Sequence, residues 1–326
     1  MVESGAGFGI SMDGRAPVAD IPAQAQAAEA GGASTLWIAC HLYLRDPITM
    51  AALALGATRR IKVALMAMSP YSAHPVFIAM AAATLEEMYP GRIILCLGAG
   101  APADLKAAGI EATRPLVTIS ETVKICRALL AGEMVNFEGQ VFHVAGRRLA
   151  NGGRNVPIVL AASRAKMLQL AGRETDGVLI SAATSPPFVK ACIEQTASGA
   201  ADRPFRKLGI VYAKLGATEK QGIDPIRRPI GFVLRGAHHA ENIRLSGAQL
   251  DQAALAAAYA AENWSEVDRL VSDDVVRRHA ACGTPRQVKA RLEEYRAIGL
   301  DEVILGGMDD APSIAAALAA ARGQTT

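Results

Sequence analysis

Short runs of consecutive apolar residues recur along this chain, and between them apolar positions return at helical spacing. The runs Phe8–Met12, Thr35–Cys40, Ile61–Met68, Arg92–Leu97, Ile158–Ala162, Gly177–Ala182, Lys207–Ala213 and Glu302–Leu305 predict eight strands. Most are apolar throughout, as strands covered on both faces must be. Helices are predicted over Val18–Ala30, Asp46–Leu55, Pro75–Met88, Thr113–Leu130, Lys166–Gly172, Phe188–Thr196, a span from Thr284 to about Ile298, and Ala311–Ala321. Their ends carry the expected punctuation. Gly31-Gly32 stops the first, Asp46 caps the second with Pro47 at its first position and Gly56 just past its end, and Thr284 caps the seventh.

Eight strands alternating with about eight helices is the count of an α/β (β/α)8 TIM barrel, read here as one domain over residues 1–326. A doubly wound open sheet is the structural competitor, but it usually needs fewer strands and leaves 302–305 without a role. Two segments interrupt the rhythm. Residues 133–155 read as a hairpin insertion around Glu138-Gly139, and residues 217–282 as a mostly helical excursion whose clearest helix is Ala253–Ala261. That length is too great for an inert loop and predicts a lid or pocket wall over the C-terminal face.

Composition narrows the class further. Half the residues are apolar and only 5% aromatic, so Ala and Leu carry the packing, and a net charge of +3 argues against a nucleic-acid or membrane partner. The arginine pairs at 147–148, 227–228 and 277–278 are scattered and read as solvated helix faces. Five widely spaced cysteines with no Cys-x-x-Cys pair predict neither a disulfide framework nor a thiolate metal site. The opening residues lack a basic segment followed by an apolar one, and no apolar run approaches a bilayer span, so a soluble cytoplasmic protein is expected.

Candidate chemistry lies at the carboxyl ends of the strands. Gly98-Ala99-Gly100-Ala101-Pro102-Ala103 fits a dinucleotide-loop pattern only weakly, because it follows the fourth strand, meets Pro102, and is expected to run into a polar loop instead of a helix. Its glycines would let a flat ligand approach the backbone. Ala162, Ser163 and Lys166 stand where the fifth strand opens into its helix. Two readings hold there: a phosphate seat on free N–H groups, or an ordinary Ser cap with exposed basic side chains. His41, directly after the second strand, reads either as a general acid/base or ring contact, or as a plain loop histidine. His74 before Pro75 reads as the start of a helix and Trp37 as core. The remaining histidines lack metal-ligand spacing, so no metal site is expected. With no nucleophile elbow and no Walker lysine, an organic cofactor at the barrel mouth is the economical explanation.

Taken in order, one set of residues resembles the luciferase-like monooxygenase superfamily of flavin-dependent oxidoreductases. The set is His41 with Arg45-Asp46-Pro47, Ser69-Pro70-Tyr71-Ser72-Ala73-His74-Pro75, Gly91-Arg92 through Gly98-Ala99-Gly100, Glu121 through Asn136-Phe137-Glu138-Gly139, Val156-Pro157 through Ala171-Gly172, Asp176-Gly177 and Gly283-Thr284-Pro285. The Pro-Tyr-Ser-Ala-His-Pro stretch looks most like the methylenetetrahydromethanopterin reductase branch, whose members use the deazaflavin coenzyme F-420. The resemblance implies a barrel, usually a homodimer, with coenzyme F-420 or FMN across the strand ends and a small-molecule substrate. It also implies a non-proline cis peptide within Met66–Ser69. On this reading Cys40, Ala67, Met68, Ser69, Gly98, Ala99 and Gly100 surround the ring, Ala162, Ser163 and Lys166 hold phosphate, and His41 is the catalytic group. The activity implied is hydride transfer between cofactor and substrate. Oxygen chemistry with reduced FMN and a non-catalytic flavin-binding barrel are the alternatives. Two departures stand out: Cys40-His41 replaces the Asp-His common in deazaflavin relatives, and no Arg stands near Ala99 as in luciferases.

Overall fold

The computed structural model describes residues 7–199 and 203–324. Its eight principal strands are β1 (Gly7–Met12), β2 (Thr35–Ala39), β3 (Lys62–Met68), β4 (Ile93–Leu97), β5 (Ile158–Ala161), β6 (Gly177–Ile180), β7 (Arg206–Leu215) and β8 (Glu302–Gly306). Each pairs in parallel with the next, and β8 pairs with β1, so the sheet closes into a ring. Helices follow the strands and pack outside, which makes this a (β/α)8 TIM barrel rather than an open sheet.

Strand alternation separates two cores. Trp37, Ala39, Ala64, Met66, Ile94, Cys96, Val159, Leu179, Leu208, Ile210 and Ile304 fill the ring's interior. Leu36, Ile38, Val63, Leu65, Leu95 and Leu160 point outward against the helices. At the amino end the interior is stopped by a buried polar cluster. Glu302, with no exposed surface, accepts from Trp37 Nε1 at 3.1 Å and from Arg206 at 2.5 Å. Gly9 on β1 makes room for it, since a Cβ there would lie 2.3 Å from the Glu302 carboxylate.

The outer helices begin as their residues dictate. Asp46 accepts from Thr49 N at 2.7 Å to cap the helix Pro47–Gly56. His74 turns its Nδ1 to Val76 N at 3.2 Å and caps Pro75–Met88, a structural task. The expectation of a polar loop after Gly100 is corrected: Pro102–Ala107 is a short helix, with Pro102 at its first turn, where a missing N–H costs nothing.

Residues 135–147 form an antiparallel hairpin held by Glu121. That carboxylate accepts from the backbone N–H groups of Gln140, Val141 and Phe142 at 2.6–3.0 Å. Burial opposes its charge, but the three donors prevail and hold its pKa below the usual range. Beyond β7 lie five helices, Glu219–Leu234, Ala240–Ser246, Gln252–Ala260, Trp264–Leu270 and Asp273–His279, around a third apolar core. The chain then returns as Ala281–Gly283, a ninth strand paired in parallel with the carboxyl end of β7. Among the described residues no helix is long and apolar enough to cross a membrane.

Candidate functional site at the barrel mouth

At the carboxyl ends of the strands the inward-facing positions divide into a bare half and a polar half. Ala67 on β3, Gly98 directly after β4 and Ala161 on β5 form the bare half. A Cβ at Gly98 would stand 2.8 Å from the Cβ of Ala67 and 3.4 Å from that of Ala161, so only glycine lets these strand ends lie flush. The register shifts between Leu65 and Met68, and the peptide between Met66 and Ala67 is cis, within the span the sequence marked. Backbone bonds knit this floor: Cys40 N donates to Met66 O at 2.5 Å and Gly98 N to Met68 O at 3.1 Å. Ser69 Oγ donates to Ala99 O at 3.2 Å, joining the loops that follow β3 and β4.

The polar half comes from β7, β1 and β2. Alternation along β1 from Gly9 carries Asp13 to the inward side, and alternation along β2 from Trp37 and Ala39 does the same for His41. His41 reaches solvent, yet the protein packed around its ring disfavours the imidazolium and lowers its pKa. Asp104 and Asp13 oppose that shift and Arg15 reinforces it, so these three charges stand round the ring. Tyr212, the next inward residue on β7 after Leu208 and Ile210, has its pKa raised by burial, with Asp13 adding to the shift and Arg15 opposing it. Burial and Asp46 push the Cys40 thiol up, so it stays protonated near neutrality.

The sequence-marked residues thus converge on one face, but not all through their side chains. Met68 and Ala162 pack in the outer core, leaving backbone alone to the mouth. The Ser69 hydroxyl is engaged between loops. Ser163 is not the cap of the helix Ala165–Glu174. Arg164 occupies that position without a side-chain cap, and Lys166 is exposed, so the first N–H groups of the helix carry no side-chain partner. Ala161, Asp13, Arg15, Asp104 and Tyr212 were missed. Counting alternate residues from the apolar interior would have found Ala161 on β5 and Tyr212 on β7, and counting from Gly9 on β1 would have found Asp13.

The excursion borders this mouth. Fully buried Asn242 accepts from Ser185 N at 2.9 Å and donates to Ala183 O at 2.7 Å, both in the loop after β6. Arg164 lowers the pKa of His238, after burial the larger cause, and Asp104 acts on Arg235, so the end of the excursion's first helix lies near both loops. A flat floor of small residues beside a titratable group and an uncapped helix start fits a planar ring carrying an anionic tail. Among the described residues no group of His, Cys, Asp or Glu side chains is arranged to hold a metal ion.

Comparison with known proteins agrees with this geometry. The chain is 31% identical over 309 residues to the 5,10-methylenetetrahydromethanopterin reductase of Methanolobus tindarius, covering 92% of this chain and 93% of that one. A stretch of 136 residues is 35% identical to the F420-dependent glucose-6-phosphate dehydrogenase of Nocardia farcinica, covering 39% and 40%. The solved structure of the coenzyme F420-dependent tetrahydromethanopterin reductase of Methanopyrus kandleri superposes with a TM-score of 0.86 at 21% identity, over 97% of this chain and 98% of that one. The model of the luciferase-like monooxygenase family matches residues 4–302. The chain belongs to the luciferase-like monooxygenase family.

Proposed function

We propose that this protein is an F-420-dependent oxidoreductase that passes hydride between the deazaflavin and a small organic substrate. The floor of Ala67, Gly98 and Ala161 beside His41 carries the reading, supported by relatives named as a 5,10-methylenetetrahydromethanopterin reductase and an F420-dependent glucose-6-phosphate dehydrogenase. The bound cofactor would supply hydride or accept it. The chain's own contribution is placement and water exclusion. Ala67, Gly98 and Ala161 let the ring lie against backbone, and the loop Ala99-Gly100 borders its edge. The N–H groups at Ala165 and Lys166, with Ser163 and the Lys166 ammonium, receive the anionic tail. His41, held neutral at physiological pH, accepts or returns the proton that accompanies hydride. The segment 217–282 serves as a wall that shelters the substrate.

FMN-dependent monooxygenation is the second reading, favoured by the family match and by the likeness to monooxygenase folds such as that from Streptomyces bottropensis, with a TM-score of 0.67. Titrating the purified protein with F-420 and with FMN, followed by absorption and fluorescence, separates the two. Saturable binding of F-420 is the expected result. Binding of FMN alone, with oxygen uptake when the flavin is reduced, would transfer the assignment to the monooxygenase, and binding of neither would end both. Self-association is part of the proposal. Phe77, Met80 and Met88 are about half exposed along one stripe of their helix, an apolar face suited to a second copy. Light scattering of wild type and Met80→Lys tests it, a dimer that the lysine splits being expected.

A further inference from the structure

Tyr212 stands apart from every group assigned above. It is an inward rung of β7, above Leu208 and Ile210 and below Lys214, and its register partner on β8 is Gly306. The two glycines that end β8 leave its ring a slot. A Cβ at Gly306 would lie 3.4 Å from the ring, and one at Gly307, whose φ is +86°, would lie 3.2 Å from it. On its other side Tyr212 packs on the core of the excursion, which includes Ala183, Ile223 and Cys282. The ring is therefore clamped by three elements, β7, β8 and the excursion. Its hydroxyl makes no hydrogen bond with any described residue, nor is it among the buried polar atoms sealed away without a partner. Tyr295, which is fully buried, shows the contrast: its hydroxyl donates to Thr184 O at 2.6 Å. A fixed ring with an unengaged hydroxyl, opening into the polar half of the mouth, is a donor awaiting a ligand.

We propose that the Tyr212 hydroxyl donates a hydrogen bond to the substrate, at the oxygen or nitrogen of a carbonyl or imine whose carbon exchanges hydride with the cofactor. The inference rests on the F-420 reading above and adds the substrate class and the residue that selects it. A phenol stays protonated at neutral pH and can only gain strength as a donor when charge grows on its acceptor. In the reducing direction, hydride reaching the carbon breaks a C=O π bond, or the π bond of the C=N that a methylene bridge between two nitrogens presents once one C–N bond opens and its nitrogen takes a proton. The freed pair moves onto the heteroatom, His41 relays to it a proton drawn from water, and the reduced cofactor is the electron source. Tyr212 stands across the mouth from Ala67, Gly98 and Ala161, so a substrate between it and the ring presents its heteroatom to the polar half and its carbon to the bare half.

The test compares wild type with Tyr212→Phe, which keeps the ring in its slot and removes only the oxygen. F-420 affinity is measured first, then oxidation of reduced F-420 by 5,10-methylenetetrahydromethanopterin and by acetone. The expected result is F-420 affinity within two-fold of wild type and kcat/KM at least ten-fold lower for each acceptor that wild type reduces. A 3-fluorotyrosine at position 212 reads the same contact without turnover. Its fluorine resonance should move when either acceptor is added to the F-420-loaded protein. Unchanged kcat/KM in Tyr212→Phe, a fluorine resonance that neither acceptor moves, or lost F-420 affinity in the variant would each overturn this inference. Failure of wild type to bind F-420 at all would instead overturn the reading on which it rests.

Discussion

Gly98 is the residue on which the floor of the mouth depends. An alanine there would bring two Cβ atoms to 2.8 Å, closer than such atoms pack, and β3 and β4 would have to part. Overpacking of this kind costs about 1–3 kcal/mol, and here the distortion falls on the ligand's resting surface. Gly98→Ala should therefore remain folded by circular dichroism, melt a few degrees lower, and lose at least ten-fold in F-420 affinity by fluorescence titration. Affinity unchanged in that variant would mean that the ring does not lie on this floor. At this scale the sequence was only partly legible. His41 and Gly98 announce themselves by type and place, whereas Asp13 and Tyr212 look like a loop acid and a strand aromatic until ring closure turns them inward. Ala161 and Ala162 show how much one residue decides: strand alternation puts Ala161 against the ring's interior and Ala162 in the outer core.

The eight strands were legible because both of their faces are covered and each reads as a nearly unbroken apolar run, so all fall close to their expected bounds. Two helices resisted for a physical reason. Pro102–Ala107 hides behind a proline that looks like a break but sits at a first turn. Glu219–Leu234 contains Pro225 and Pro229, which remove two backbone donors from its interior. Tertiary bonds hold it nevertheless: Thr218 and Gln221 form a capping box, and buried Arg227 donates to Val271 O at 2.5 Å and pairs with Asp224 and Asp273. No local pattern encodes such partners. The excursion's anchor on the barrel is Asn242. Asn242→Ala would leave Ser185 N–H and Ala183 C=O buried without partners, a loss of at least 2 kcal/mol or so. Denaturant unfolding should show that loss. If the segment walls the pocket, KM for substrate should rise more than the dissociation constant for F-420.

For the whole molecule, stability carries a signature in acid. His239 and His279 are buried in the excursion, and burial holds their pKa values down to about 3 and about 4. The neighbours pull in both directions. His238 and His279 press on His239, while Arg291 and Arg278 press on His279 and the Val275 carbonyl and Asp274 relieve it. Unfolded, both rings would titrate near the ordinary 6.5. Above that pH both states hold neutral imidazole and the stability is fully present. As pH falls below 6.5 the unfolded chain takes protons first, and stability drains towards pH 4 and below, by a few kcal/mol in all. Urea midpoints measured from pH 7 to pH 4.5 should fall accordingly, and His279→Phe should flatten the slope. A slope unchanged by that substitution would exclude His279 as its source.

The interior side chains, with Trp37, Glu302 and Arg206 at the amino end, leave no passage through the ring, so the mouth is a blind recess. Whatever enters must leave the way it came, and two guests in a blind alley cannot change places. If the cofactor lies against the strand ends with its reaction partner nearer the opening, the first to arrive is the last to go. Initial-rate and product-inhibition measurements should then show a compulsory sequence, F-420 leading, and a random sequence would mean that the two guests lie side by side.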